Sequence, residues 1–151
     1  MTELASSRFA LPYLALAQVQ KEVTHNEALA LIDLLLHPVC EGTLDDPSAL
    51  LPEPGQCWIV GADAAGAWGG HANQLAGWTE GGWRFAVPVE AMSMFDRSTG
   101  GSLTFRDGLW SAPESILLPS GGSVIDREAR DSFTALVTAL ERAGILLATI
   151  S

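Results

Sequence analysis

The side chains that could carry out acid–base or nucleophilic chemistry are few and scattered along the chain. The three histidines are His25, His37 and His71, and none lies in an HExxH motif or a cysteine–histidine cluster. No GxSxG, phosphate-loop or GxGxxG motif is present. The spacing of the acids does not set two of them apart as the pair that glycoside hydrolysis requires. The acids considered are Asp45, Asp46, Glu80, Glu90, Asp96 and Asp107. We therefore predict that the protein is not an enzyme and holds no metal or cofactor.

The two cysteines, Cys40 and Cys57, lie 17 positions apart and form no CxxC motif. They allow two interpretations, a pair of small core residues or a single disulfide. We favour core residues, because disulfides are rare in proteins made in a reducing cytosol.

Tryptophan is abundant, with five residues that all lie between positions 58 and 110. Indole rings either build a small core or stack on sugar rings at a partly wet surface. Trp58 adjoins Ile59 and Val60 and is predicted to lie in the core. Trp68 is flanked by glycines, so both interpretations stay open for it. The candidate glycan contacts are Trp68, Trp78, Trp83 and Trp110.

The negative net charge excludes some classes of binding partner. Hydrophobic residues make up 48% of the chain, charged residues 17%, and the net charge is −10 with a single lysine, Lys21. A nucleic-acid binder needs a basic face, and binding to an anionic membrane surface is disfavoured for the same reason. We predict no nucleic-acid or membrane partner, and we expect protein partners to cover part of the apolar surface.

The amino-terminal region has the periodicity of helices. Pro12 suits a first helical turn, and the apolar pattern predicts helix over residues 12–37. Thr24 and Glu27 have the spacing of a capping box, which predicts a joint near Val23. The amides of Gln18, Gln20 and Asn26 suit contacts between subunits. This arm could pack on its own domain or dock on a neighbouring copy.

The remaining sequence divides into three zones. Residues 38–55 hold four prolines and are predicted to be a linker. The pattern of residues 56–110 predicts an antiparallel β-meander. The pattern of residues 120–143 predicts an amphipathic helix capped by Asp126. The predicted strands are 57–60, 75–79, 83–87, 93–96, 103–106 and 109–111. We predict an α+β fold with a helical arm (1–37), a Pro-rich linker (38–55) and one compact unit (56–151) that holds a small antiparallel sheet.

Several blocks of sequence resemble an uncharacterised domain family of alphaproteobacterial phages and gene transfer agents. The longest is LPYLALAQVQKEVTHNEAL at 11–29, and it is followed by CWIVG at 57–61 and GAW at 66–68. Further blocks are QLAGW at 74–78, GWRF at 82–85 and VIDREAR at 124–130. The resemblance extends over roughly residues 9–144.

The resemblance implies a structural component of a phage-like particle, similar to tail-fibre, host-specificity and head-spike proteins. It implies an adaptor or base that anchors a receptor-binding spike or fibre to the capsid. The implied partners are capsid or tail proteins, a separate spike or fibre protein, and further copies of the chain, with a pentamer at a five-fold vertex. The particle would assemble in the bacterial cytoplasm and leave by lysis. The alternative is a module that binds host surface polysaccharide. The contacts expected on the arm are Leu11, Pro12, Tyr13, Gln18, Gln20, Thr24, Asn26 and Glu27.

Overall fold

The computed structural model describes residues 5–9, 11–14, 21–113, 116, 118, 126–143 and 145–146, without the side chains of residues 21 and 22. This part of the chain contains two α-helices, α1 (Lys21–Leu35) and α2 (Arg127–Arg142), and a short 3₁₀ helix at Gly66–Trp68. The strands are β1 (Val39–Cys40), β2 (Thr43–Leu44), β3 (Cys57–Val60), β4 (Leu75–Thr79), β5 (Gly82–Ala86), β6 (Ser93–Asp96), β7 (Gly101–Arg106) and β8 (Leu109–Ser111). The predicted α+β class is confirmed.

The strands form two sheets rather than the single meander that the sequence predicted. One sheet has the order β2-β3-β4-β5 and the other β1-β6-β7-β8. Each contains antiparallel hairpins, and each has one short parallel strand at its edge, β2 beside β3 and β1 beside β6. The chain changes sheets between β5 and β6, where residues 87–92 replace the tight turns of the other hairpins.

The segment 38–44 joins the two sheets. The carbonyls of Pro38 and Cys40 accept hydrogen bonds from the N–H groups of Phe95 and Arg97 beside β6, at 3.0 and 2.9 Å. Further along the segment, the carbonyl of Gly42 accepts from Ile59 of β3 at 3.0 Å. The first part of the predicted Pro-rich linker therefore forms the edge strand of both sheets. Two-residue strands are too short to leave a periodic pattern, so the sequence did not reveal them.

The principal core lies where α1 meets the sheets. Its buried members are Leu34, Cys40, Cys57, Ile59, Leu75, Ala86, Met94 and Leu103. Leu34 packs against the bare backbone of Gly77 in β4, where a Cβ would lie 2.7 Å from Leu34 Cδ1. Cys40 and Cys57 are both free buried thiols, which confirms the interpretation as core residues. Burial raises the pKa of the Cys40 thiol to about 12, and it raises the pKa of Cys57 as well.

A second core covers the opposite face of the β2–β5 sheet. It contains Trp58, Val60, Trp68 and Ala76, with Trp83 and Phe85 partly buried at its border. Because β3 is buried on both faces, its residues are divided between the two cores, Cys57 and Ile59 in one and Trp58 and Val60 in the other.

The predicted start of the N-terminal helix at Pro12 is wrong. Pro12 forms an antiparallel bridge with Ala5, and the N–H of Ser6 donates to the carbonyl of Leu11 at 3.0 Å. Residues 5–14 thus form a hairpin, named the N-terminal hairpin below, of which residue 10 is not described. The predicted joint near Val23 is also wrong, because α1 runs through Thr24 without a break. The N–H groups that Thr24 was predicted to cap belong to the interior of the helix and bond within it.

The C-terminal helix follows the prediction more closely. Asp126 caps α2 by accepting a hydrogen bond from the N–H of Ala129 at 3.0 Å. Residues 120–125, part of the predicted helix, lie outside the described residues. Within the described ranges, no helix is long and apolar enough to cross a bilayer.

We predict that Gly77→Ala lowers the free energy of unfolding by roughly 1–3 kcal/mol, because the new methyl group collides with Leu34. Leu34→Ala alone costs roughly 2–5 kcal/mol through the cavity that it leaves. The double variant costs less than the two single changes added together, because the methyl group introduced at position 77 occupies vacated space. Urea denaturation measures all three.

Gly69→Ala is the matched control. A Cβ at Gly69 would lie no closer than 3.5 Å to its nearest neighbour, and the backbone φ of −51° suits alanine. Equal stabilities of the Gly77→Ala and Gly69→Ala variants would contradict the packing described for Leu34.

Candidate functional site

A buried carboxylate ties the N-terminal hairpin to α1. Asp33 is only 4% exposed. Its Oδ1 accepts from Ser6 Oγ at 2.7 Å and from the N–H of Phe9 at 2.7 Å, and its Oδ2 accepts from the N–H of Arg8 at 2.9 Å. Hydrogen bonds to an ionised group are stronger than neutral ones, and they are what makes burial of a carboxylate tolerable.

The hairpin binds α1 in return through the guanidinium group of Arg8. Its Nη1 donates to the carbonyls of Asp33, Leu34 and Leu36 at 2.9, 3.1 and 3.2 Å, and its Nη2 to that of His37 at 2.7 Å. The last carbonyls of a helix lack partners within it and carry partial negative charge. The last turn of α1 has no basic residue of its own, so Arg8 supplies the positive charge. We call these Asp33 and Arg8 contacts the clamp.

Asn26 provides a second tie at the other end of the hairpin. Its Oδ1 accepts from the N–H of Leu14 at 2.9 Å, and its Nδ2 donates to the carbonyl of Leu14 at 3.2 Å. The side-chain amide thus pairs with residue 14 as a neighbouring strand would. The two ties hold the hairpin against α1 of the same chain.

An open groove of about 290 Å³ lies between the hairpin, α1 and the β4–β5 turn. It brings together Tyr13, Asn26 and Glu27, three of the predicted arm contacts, with Arg84 of β5. Arg84 Nη2 lies 3.8 Å from Glu27 Oε1, a loose and partly exposed ion pair. Burial raises the pKa of Tyr13, and the charges of Asp33 and Glu80 add to this while Arg84 opposes it.

The other predicted arm contacts are dispersed. Leu11 is half-buried in the hairpin, Pro12 is exposed, and Thr24 lies on the exposed side of α1 away from the groove. Gln18 and Gln20 lie outside the described residues. The sequence analysis missed Ser6, Arg8 and Asp33, whose pairing joins positions 24 to 29 apart. Only the presence of an aspartate within an apolar helix could have drawn attention to them.

From Ala28 onward, the outer side of α1 is apolar as well. We define the outer face as Ala28, Leu29, Ile32 and Leu36, which follow each other along one side of the helix. Ile32 is 51% exposed and Leu36 42% exposed, whereas Asp33 and Leu34 on the inner side are buried. Helices with apolar residues all round are normally buried on all sides. The outer face is therefore a candidate docking surface.

Four of the five tryptophans form one cluster, and Trp68 is its most deeply buried member. Its ring centroid lies 5.1 Å from that of Trp83 and 6.4 Å from that of Trp58. Trp68 is fully buried, so the interpretation of Trp68 as an exposed glycan contact is wrong. The glycines around it allow the loop to fold back over the sheet and insert the indole. No described residue accepts a hydrogen bond from its buried Nε1.

The other candidate glycan contacts separate into two places. Trp78 and Trp83 are half-buried cross-strand partners with ring centroids 4.8 Å apart, and they form the exposed end of the cluster. Trp110 lies on the other sheet, packs against Phe105 and donates from Nε1 to the carbonyl of Asn73 at 3.0 Å. The described residues include no group of three or more His, Cys, Asp or Glu side chains arranged for a metal ion.

The clamp leads to a prediction about stability and about cleavage of the hairpin. Asp33→Ala should lower the free energy of unfolding by roughly 3 kcal/mol, since it strands the Ser6 hydroxyl and two backbone N–H groups. It should also release the hairpin, so trypsin should cleave after Arg8 much faster than in the parent chain. Urea denaturation and mass spectrometry of the digest measure the two effects.

Asp96→Ala is the matched control, because Asp96 is equally buried but its side chain binds its own turn at Ser98 and Thr99. It should destabilise the protein without speeding cleavage after Arg8 under folding conditions. Equal acceleration in both variants would contradict a local role for Asp33.

Comparison with known proteins gives one family. A family model described as "Protein of unknown function (DUF2793)" matches residues 25–111. The matched range holds most of α1 and both sheets, whereas the N-terminal hairpin and α2 lie outside it. A comparison with curated proteins finds no match to the chain.

Proposed function

The chain belongs to the DUF2793 family of proteins of unknown function, and we propose that it is a structural adaptor of a phage-like particle. In this role it is the base that anchors a receptor-binding spike or fibre to the capsid. The resemblance of residues 11–29 to phage and gene transfer agent proteins supports the particle, and the surface of the molecule supports the adaptor.

The outer face of α1 is the observation that carries the proposal. Ile32 and Leu36 are about half exposed, so covering them with a partner would stabilise a complex by roughly 1 kcal/mol each. The clamp fixes α1 at the end that carries both residues. A surface held rigidly before binding loses little conformational entropy in the complex, which favours tight docking.

Phe9 adds an exposed apolar side chain near the end of α1. It is 41% exposed, and its ring lies 6.3 Å from that of His37, just past the end of α1. The Phe9 N–H is bound by Asp33. The clamp thus places an exposed aromatic side chain near the C-terminal end of α1, and aromatic residues dominate the energetics of many protein interfaces.

A base at a capsid vertex would bind a site with five-fold symmetry, and a ring of copies of this chain would match that symmetry. Such a ring needs contacts between two different surfaces of neighbouring copies. The partners proposed are capsid or tail proteins, a separate spike or fibre protein, and further copies of this chain. The protein would assemble with the particle in the bacterial cytoplasm and act without chemistry of its own.

We predict that Ile32→Glu removes the protein from purified particles while leaving its fold intact, because it places a charge in the apolar contact. Immunogold labelling of particles from the source bacterium, with an antibody to this chain, gives the readout. Gold on the capsid vertices of the parent strain is expected, and its loss in the variant. Circular dichroism reports whether the variant folds.

Leu51→Glu is the control, since Leu51 is 96% exposed in a loop away from α1 and undergoes a comparable change. It should leave the labelling unchanged. Gold on the tail tip would move the adaptor to the host-adhesion apparatus. Protein that stays free in the lysate, with unlabelled particles, would contradict the proposal.

The paired indoles of Trp78 and Trp83 favour a second candidate, the binding of host surface polysaccharide. Their edge-to-face contact leaves aromatic surface accessible at the end of the cluster. Axial C–H groups of a sugar ring could stack on such a surface, and the nearby Thr79 and Glu80 provide polar groups for its hydroxyls.

This alternative predicts a saturable shift of tryptophan fluorescence when host polysaccharide is titrated into the protein. Trp78→Ala should abolish the shift, because it removes half of the exposed pair. Trp110→Ala, on the other sheet, should retain it. An unchanged signal in the parent protein at saturating polysaccharide would eliminate this candidate and leave the adaptor proposal untouched.

A further inference from the structure

Helix α2 carries an apolar seam with the spacing of a coiled coil. The seam residues follow each other at intervals of four, three, four and three, the repeat that keeps side chains facing a partner helix. They are Ala129, Phe133, Leu136, Leu140 and Ala143. The helix spans 16 residues, or about 24 Å at 1.5 Å per residue. The seam therefore occupies the whole length of α2.

The middle of this seam is largely exposed in the part of the chain that the structure describes. Val137, beside the seam, is the buried residue of α2, only 3% exposed. Past the helix, Ala143 and Ile145 line a groove of about 440 Å³ together with Ser93, Ser102 and Thr104 of the second sheet. By contrast Phe133 is 37% exposed and Leu136 is 54% exposed. The helix is thus buried at one flank, at Val137, while Phe133 and Leu136 of its seam are exposed.

The charge of α2 differs from that of the rest of the molecule. It carries three arginines and three acids, so its formal charge is zero, whereas the whole chain carries −10. Two acidic chains repel each other in most approaches, because each presents an excess of negative charge. Approach through α2 avoids that repulsion. A basic partner, in turn, would be drawn to the acidic remainder of the surface rather than to this neutral helix.

We propose that the α2 seam packs against the same seam of a second copy of this chain. On one side of the seam the flanking positions suit close approach, since Ser132 and Ala139 are small and uncharged, whereas the other side carries Arg130 and the buried Val137. Phe133 and Leu136 would form the centre of the contact and lose their exposure to water. This contact is independent of the α1 outer face, so copies joined through α2 keep that face available.

Sedimentation velocity of the purified full-length chain tests the contact. Association depends on concentration, and we expect the parent chain to form dimers or larger assemblies as it is raised to about 100 μM. Leu136→Glu should weaken association by about 10-fold or more, since it buries a charge in the seam. Thr134→Glu adds the same charge on the opposite side of α2 and should associate as the parent does.

Disulfide trapping gives a second readout that does not rely on a destabilising change. Leu136→Cys should form an intermolecular disulfide on mild oxidation, whereas Thr134→Cys should not. The native thiols do not interfere, because Cys40 and Cys57 are buried in the core.

A parent chain that stays monomeric at the highest concentration would overturn the proposal. So would a Leu136→Glu variant that associates as the parent does, or equal effects of the two glutamate changes. Far-UV circular dichroism confirms that each variant is folded. The outcome is separate from that of the adaptor proposal, because this experiment contains neither particles nor partner proteins.

Discussion

The buried carboxylate of Asp33 is the constraint on which the N-terminal half of the molecule depends. A charge with 4% exposure is tolerated only if its oxygens are fully engaged, and here the donors come from a separate segment of chain. The hairpin must therefore be in place whenever α1 is packed. Arg8 makes this dependence mutual, because its guanidinium group donates to carbonyls at the end of α1 that have no partner within the helix. Neither element could keep this structure without the other, and together they present an apolar surface to the outside.

The two proposed interfaces lie on helices that differ in how they pack on the rest of the molecule. α1 contributes to the principal core through Leu34 and is fixed by the clamp, so its outer face is a rigid platform. In α2, by contrast, Val137 is the buried residue. The tryptophan cluster occupies the remaining face of the β2–β5 sheet and explains why such a small sheet is buried on both sides. Large aromatic side chains cover that face as a further helix does in other folds.

The sequence predicted best where local pattern and tertiary structure agree. The hairpins from Leu75 to Ser111, the cap at Asp126 and the core position of Trp58 follow from alternation, turn residues and composition. The hairpin at residues 5–14 could not be predicted, because contacts with Asp33 and Asn26, distant in sequence, override the helical pattern. The prediction for Trp68 was ambiguous for the same reason. Its glycine neighbours indicate a flexible loop, but they do not indicate where that loop packs. The clamp, which joins residues far apart, leaves no local signature beyond an aspartate within an apolar helix.

The edge strand at residues 38–44 has a consequence for the order of folding. Val39 pairs with Phe95, and Thr43 pairs with Ile59. This one short segment therefore needs strand partners from two different parts of the chain. During synthesis the first sheet can assemble once residue 86 has left the ribosome, but β1 stays unpaired until β6 follows. The core that contains Cys40 is complete only when Met94 and Leu103 of the second sheet have joined it. Parallel pairing over such separations is slow, and the nascent chain exposes its apolar edge until that moment.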